Sequence, residues 1–195
     1  MDNSQLKLLQ KPLSLKWRVR SAYPNKINPT HVMLVGYIDS RQVQDLLDEV
    51  VGAENWQDEY FECKNKQFCR IGIKINNEWI WKGDSGAETS TEAGKGETSD
   101  AFKRAAVKWG INRTAYKVGE VKLPCKMYES RPYPVDESGR FLKGEGLYSE
   151  CNRLGKTEDL EIEFDQSFES MAQIAEAAKA NKTSKRITKP KVIKP

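Results

Sequence analysis

Histidine is nearly missing from this sequence: His31 stands alone. The four cysteines, Cys63, Cys69, Cys125 and Cys151, form no C-x-x-C pair. Zinc sites rely on tightly spaced Cys and His ligands, so a metal centre is not expected, and the thiols are expected reduced and partly buried. No apolar run nears the ~20 residues that a membrane-spanning helix needs. The opening "MDNSQLKLLQKPLSLKWRVR" lacks the apolar stretch and small-residue cleavage site of a signal peptide. The expectation is a cytoplasmic protein without a membrane partner.

Charge is plentiful and segregated. The net charge is only +4, yet residues 1–31 hold six Lys or Arg against Asp2. Residues 39–62 hold eight acids against Arg41, and the last fifteen residues hold six Lys or Arg and no acid. One basic surface and a basic tail suit an anionic polymer, although a solvated surface would carry the same pattern.

Periodicity gives most of the elements. "SLKWRVRSAY" and "HVMLVGYI" read as strands, and "DSRQVQDLLDEVVG" as a helix capped by Asp39 or Ser40 and ended at Gly52. Val43, Leu46, Leu47, Val50 and Val51 recur at helical spacing and form its apolar stripe. Three short strands follow, turning at "KNK" and at Asn76-Asn77, which tolerate positive φ. That register sets Ile73 opposite Ile80 on the core face, with Trp79 and Trp81 beside Lys74 and Gly72 on the other. Packing in the core is the competing place for the tryptophans. Residues 84–98 read as a flexible loop. A second helix is expected from about Ser99 to Trp109, burying Ala101, Phe102, Ala105, Ala106 and Trp109. From residue 125 the pattern weakens, so 125–165 is expected to be irregular, 166–181 a short amphipathic helix, and 182–195 a disordered basic tail.

Two motif-like strings fail on context. "GDSG" (residues 83–86) surrounds the nucleophile in some serine proteases, but His31 is the only candidate base and opens an apolar strand. Gly94-Lys95 is followed by Gly96 rather than the hydroxyl of a phosphate loop. A nuclease using the acids of residues 39–62 lacks metal-ligand spacing. No catalytic residue and no cofactor is expected.

The run "SDAFKRAAVKWG" resembles the most characteristic segment of the Rad-fifty-two/Rad-twenty-two-type single-strand annealing proteins, in the form carried by bacteriophages. "WRVRSAY", "YIDSRQVQDLLDEVVGAENW" and the W-x-x-K-G-D-S-G-A approach from Trp79 are similar too, and follow in the family's order. The likeness covers roughly residues 15–120. It implies an α+β fold, an antiparallel sheet with a β-β-β-α core packed on helices, in a core domain at 15–124 after an N-terminal segment at 1–14. It also implies a non-enzymatic protein of recombination and break repair, assembled with its own copies into rings or curved filaments. Such a protein anneals complementary strands without ATP, in the host cytoplasm if phage-encoded. Its partners would be single-stranded DNA, itself, and a single-strand-binding protein or exonuclease.

The family's groove Lys and Arg fall on Lys103 and Arg104, and the basic residue before that helix on Lys95. A groove arginine near the start of the first helix falls on Gln42, a departure that Arg41 next door could fill, although one helical position swings a side chain by ~100°. A further basic position falls on Val107, beside Lys108. Cations that hold phosphates leave base edges open to a partner strand. A passive single-strand or DNA-end protector that binds without annealing is the alternative.

Overall fold

The computed structural model describes residues 3–86, 93–113, 115–160, 163–166, 169–170 and 173. The chain opens with a short helix α1 (Asn3–Leu8), then pairs β1 (Lys16–Tyr23) with β2 (His31–Tyr37) in antiparallel register. Helix α2 (Ser40–Val51) leads into a three-stranded antiparallel meander, β3 (Trp56–Cys63), β4 (Lys66–Ile75) and β5 (Glu78–Ser85). Helix α3 (Ala93–Lys108) packs on β4 and β5, completing a β-β-β-α unit. A short α4 (Ala115–Val118), β6 (Glu120–Tyr128), β7 (Arg131–Pro134) and α5 (Gly144–Gly155) follow. β6 pairs with β2, so the first sheet has the order β1-β2-β6-β7. The fold is α+β, as expected.

One core joins the two sheets through the helices. Val32 and Leu34 of β2, Val43 and Leu47 of α2, Ile71 and Ile73 of β4, and Ala101 and Ala105 of α3 are each 0% exposed. The α2 stripe is buried at four of its five positions, with Val50 packed partly against it. Asp39 caps α2 in a capping box: its carboxylate accepts from the Gln42 amide, and the Gln42 side chain accepts from the Asp39 amide. The Lys16 ammonium bonded to Asp39, then the Gln42 amide, hold this carboxyl below its usual range. Losing such a cap costs about 1 kcal/mol, so Asp39→Ala is expected to lower stability by that order in a urea titration at pH 7. Because the folded pKa is depressed, the contribution is full above the unfolded value near 3.8 and is lost as pH falls through the lower folded value.

The meander follows the expected register, with Ile73 opposite Ile80, Lys74 opposite Trp79 and Gly72 opposite Trp81, but only Ile73 is in the core, since Ile80 is 40% exposed. Asn76 and Asn77 both have positive φ, 50° and 71°, in the tight turn. Trp79 and Trp81 lie on the outer face, with the Arg70 guanidinium 4.4 Å from the Trp81 ring centre. Gly72 lets that ring lie close to the backbone, since a Cβ would sit 3.0 Å from it and the indole would have to give way.

Three expectations are corrected. α3 begins at Ala93, six residues before Ser99. Tertiary contacts outweigh the glycines there: Glu97 accepts from the Gln67 amide, and Gly86 donates to the Gln67 carbonyl. Residues 125–165 are not irregular, because β6 runs through residue 125, β7 pairs with it, and α5 buries Cys151. Pro124 masked the strand and the glycines of "GEGLYSECNRLG" masked the helix. The boundary expected at 124 therefore falls inside β6. Of the expected helix at 166–181, residues 166, 169–170 and 173 are described and helical. The remainder, the 182–195 tail and residues 87–92 lie outside the described residues.

All four thiols are free. Burial pushes Cys69 and Cys151 up to about 12, with a nearby carboxylate adding to each, so both are inert packing groups.

Candidate nucleic-acid interface

Helix α3 faces two ways. Ala101, Phe102, Ala105 and Ala106 are each at most 1% exposed, and Trp109 just beyond is also buried, its indole N–H donating to the Ile71 carbonyl at 3.0 Å. Bonding the tryptophan to the meander backbone fixes the helix rotation. That rotation turns Lys103 and Arg104 toward the end of β2.

There the two side chains line a cleft of about 200 Å³ with Gly36, Tyr37 and Ile38 of the β2 end, Asp100 and Val107 of α3, and Asn112, Ala115 and Tyr116 beyond it. The cleft therefore lies between the four-stranded sheet and the β-β-β-α unit. Asn112 has a positive φ of 58° in the turn after α3. Its Oδ1 is buried and finds no hydrogen-bond partner among the described residues. Leaving a buried acceptor unpaired costs roughly 1–3 kcal/mol, so the cleft wall offers an acceptor that the fold does not use.

Asp84 adjusts the charge at this site. Its carboxylate lies 3.5 Å from Arg104 and 3.5 Å from Lys108. Burial would raise its pKa, but the Ser85 amide and these two cations together hold it below the usual carboxylate range. Two cations thus share one anion, and Arg104 is aimed by Asp84 as well as open to a ligand. Lys82 sits above the Trp109 ring at 4.1 Å and donates to the Lys108 carbonyl at 3.4 Å, adding a third cation to this flank.

The residues singled out in the sequence separate on this geometry. Lys103 and Arg104 are together in the cleft. Lys108 is on the Asp84 side, outside the cleft lining. Gln42 is used by the α2 cap, and its side-chain N–H also donates to the Ser14 carbonyl at 2.9 Å, so it is a structural residue rather than a phosphate ligand. Arg41 is exposed beside Ser40, whose hydroxyl lies 2.6 Å from that of Ser99, one turn before Lys103. Lys95 lies in the first turn of α3, and its side chain is outside the described residues. Sequence reasoning missed Tyr37, Asn112 and Tyr116. "INRTAY" supplied two of these within the family-like segment, but no periodicity marks a turn residue as lining.

The Asp84 arrangement carries a prediction. Asp84→Asn keeps an acceptor for the Ser85 amide while releasing Arg104 and Lys108. Affinity for a single-stranded oligonucleotide, followed by fluorescence anisotropy, is expected to rise about fivefold at 0.1 M salt, with a log–log salt dependence steeper by about 0.7. A weakened affinity would mean that Asp84 is needed to aim Arg104.

Among the described residues no helix is long and apolar enough to cross a membrane, and no three of His, Cys, Asp or Glu form a group that could hold a metal ion. The chain is 33% identical over 89 residues to the single-stranded DNA-binding protein DdrA of Deinococcus radiodurans, a stretch covering 45% of this chain and 42% of that protein. The chain thus matches less than half the length of this curated relative. The sequence pattern of the Rad52/22 family double-strand break repair proteins matches residues 3–131, from α1 to the start of β7. That is well over half of the 195 residues, and the chain belongs to this family.

Proposed function

We propose that this protein binds single-stranded DNA by its phosphates in the Lys103–Arg104 cleft and anneals complementary strands without nucleotide hydrolysis, in recombination and double-strand break repair. The observation that carries this reading is the pair of adjacent cations on one wall of an open cleft between the two layers of a Rad52/22-family fold. Lys and Arg neutralise phosphates whatever the base, which suits a protein that must handle any sequence. A backbone-held strand keeps its pairing edges available. The similarity to DdrA, a single-stranded DNA-binding protein, supports the same ligand. The cleft binds and positions, and its role is not catalytic. Copies of the chain are proposed to assemble into a ring or curved filament that joins successive clefts into one track, with a single-strand-binding protein or exonuclease of recombination as partner.

A passive single-strand protector is a second reading. Phe61 and Phe68 stack at 5.5 Å on the outer face of the meander, and Trp79 and Trp81 sit 6.3 Å apart on that same face. Exposed aromatic faces stack bases and suit proteins that cover a strand. Stopped-flow pairing of two complementary labelled oligonucleotides, without nucleotide or divalent metal, separates the two. Annealing requires that the wild-type protein speed pairing above the protein-free rate. Tight binding with no acceleration would replace annealing by protection.

A further inference from the structure

Beyond residue 131, where the family pattern ends, the chain adds α5 and then an acidic stretch. Residues 157–178 hold seven acids and no Lys or Arg. Helix α5 sets where this stretch runs. Trp17 donates its indole N–H to Asn152, and Gly155 ends the helix so close to Val118 of α4 that a Cβ would lie 2.7 Å from that side chain. Lys156 follows with a left-handed backbone, φ 52° and ψ 45°, which redirects the chain. The next described residues, 157–160 and 163–166, are helical. Thr157 and Leu160 share a small pocket with residues 12–15 and with Ala115 at the start of α4. Leu160 and Phe164 are half-buried one helical turn apart, while Glu158, Asp159, Glu163 and Asp165 are exposed.

This path brings the acids to the rim of the Lys103–Arg104 cleft. Ala115 lines both the small pocket and the cleft, and Tyr116, 72% exposed, lines the cleft beside it. The ammonium of the next residue, Lys117, lies 3.3 Å from the Glu163 carboxylate. Arg113, one turn earlier, is committed elsewhere: it donates to the Val107 and Lys108 carbonyls at the end of α3. Lys117 and Glu163 are 62% and 65% exposed, and an ion pair so open to water is weak and screened by salt. Lysine carries its charge on a flexible four-carbon stem, so Lys117 can leave Glu163 without moving α4. A phosphate at the mouth of the cleft offers it the same sign of charge as the carboxylate.

We propose that Lys117 is a further phosphate contact of the cleft, and that Glu163 of the acidic stretch covers it until a single strand takes the carboxylate's place. This rests on the single-stranded DNA reading of the cleft and adds a competitor built into the chain. Binding exchanges one anion for another at Lys117, so the contact adds little net affinity, and Glu163 takes the lysine back when the strand leaves. The tether makes the competition intramolecular, and so independent of protein concentration. Such an exchange suits a protein that must hold a strand and then release the paired product.

Two measurements on the full chain test this. A water-soluble carbodiimide condenses a carboxylate with an amine in contact with it, and is expected to link Glu163 to Lys117 in the free protein, read by peptide mass. A saturating thymidine 30-mer is expected to abolish the link. A link that never forms, or that persists with the 30-mer bound, overturns the proposal. In anisotropy titrations at 0.1 M salt, Glu163→Gln is expected to bind the 30-mer about fivefold more tightly than wild type, the contribution of one phosphate contact. That gain should need the lysine: Lys117→Gln/Glu163→Gln should bind no more tightly than Lys117→Gln. The same gain without Lys117 would make the acids a diffuse repulsion, and no gain in Glu163→Gln would mean that Lys117 meets no phosphate. Either result overturns the exchange. The two readings fail separately. If Lys103→Ala/Arg104→Ala binds as tightly as wild type, the cleft reading falls. If that variant binds weakly while Glu163→Gln matches wild type, the exchange alone is wrong.

Discussion

Lys103→Ala/Arg104→Ala is expected to weaken binding of a single-stranded oligonucleotide about 25-fold at 0.1 M salt and to flatten the log–log salt dependence by about 1.4. Each phosphate neutralised on a single strand contributes roughly 0.7 to that slope, and the two side chains stand on one cleft wall. Taking 1 M as the salt at which the electrostatic contribution vanishes, two contacts give about 1.4 decades at 0.1 M. The variant should fold normally, since neither residue belongs to the buried arc of α3. Loss of Arg104 also leaves Asp84 with Lys108 as its remaining cation, so the effect includes some anionic character that Arg104 had masked. Anisotropy titrations at four salt concentrations measure both numbers. A uniform loss of affinity with an unchanged slope would mean that the two cations shape the cleft rather than touch phosphates.

Phe102→Ala is expected to cost about 3–5 kcal/mol in stability. Phe102 is 1% exposed, and its ring lies 6.4 Å from that of Trp56. Its neighbours on the buried arc are Ala101, Ala105 and Ala106, too small to fill the space left behind. A domain of this size has a total stability of about 5–15 kcal/mol, so the loss is a large share. Urea unfolding followed by tryptophan fluorescence should show a lower midpoint with an unchanged m-value. A change below 1 kcal/mol would mean that α3 repacks on the meander and that its rotation is set by the Trp109–Ile71 bond alone.

Much of the scaffold was legible because its signals are local. The α2 stripe and the α3 arc follow from 3.6-residue spacing, and the β4–β5 register from Asn76-Asn77. What failed was non-local. β6 is a strand because it completes a sheet with β2, begun some ninety residues earlier, and Pro124 hid it. α5 holds because Cys151 is buried and the Trp17 indole N–H donates to Asn152 at 2.7 Å, neither visible in a glycine-bearing segment. The site divides in the same way. Lys103 and Arg104 came from a family-like run, and the cleft does bring them together. Gln42 was carried over by alignment to a basic position, although Asp39-x-x-Gln42 has the spacing of a capping box and takes that role. Asp84 was read as part of a protease-like string and of the family-like approach to the loop, with no role of its own, whereas the fold sets it between Arg104 and Lys108. Tyr37 and Tyr116 come to the cleft from β2 and α4, far apart in sequence, which no local pattern encodes.

In the proposed function the strand held at Lys103 and Arg104 is the strand that pairs. The rate of pairing of two complementary labelled oligonucleotides, without nucleotide or metal, tests it for wild type and Lys103→Ala/Arg104→Ala at equal protein concentration and 0.1 M salt. Wild type is expected to accelerate pairing, and a folded double variant to give a rate near the protein-free value. A double variant that anneals as fast as wild type would contradict it.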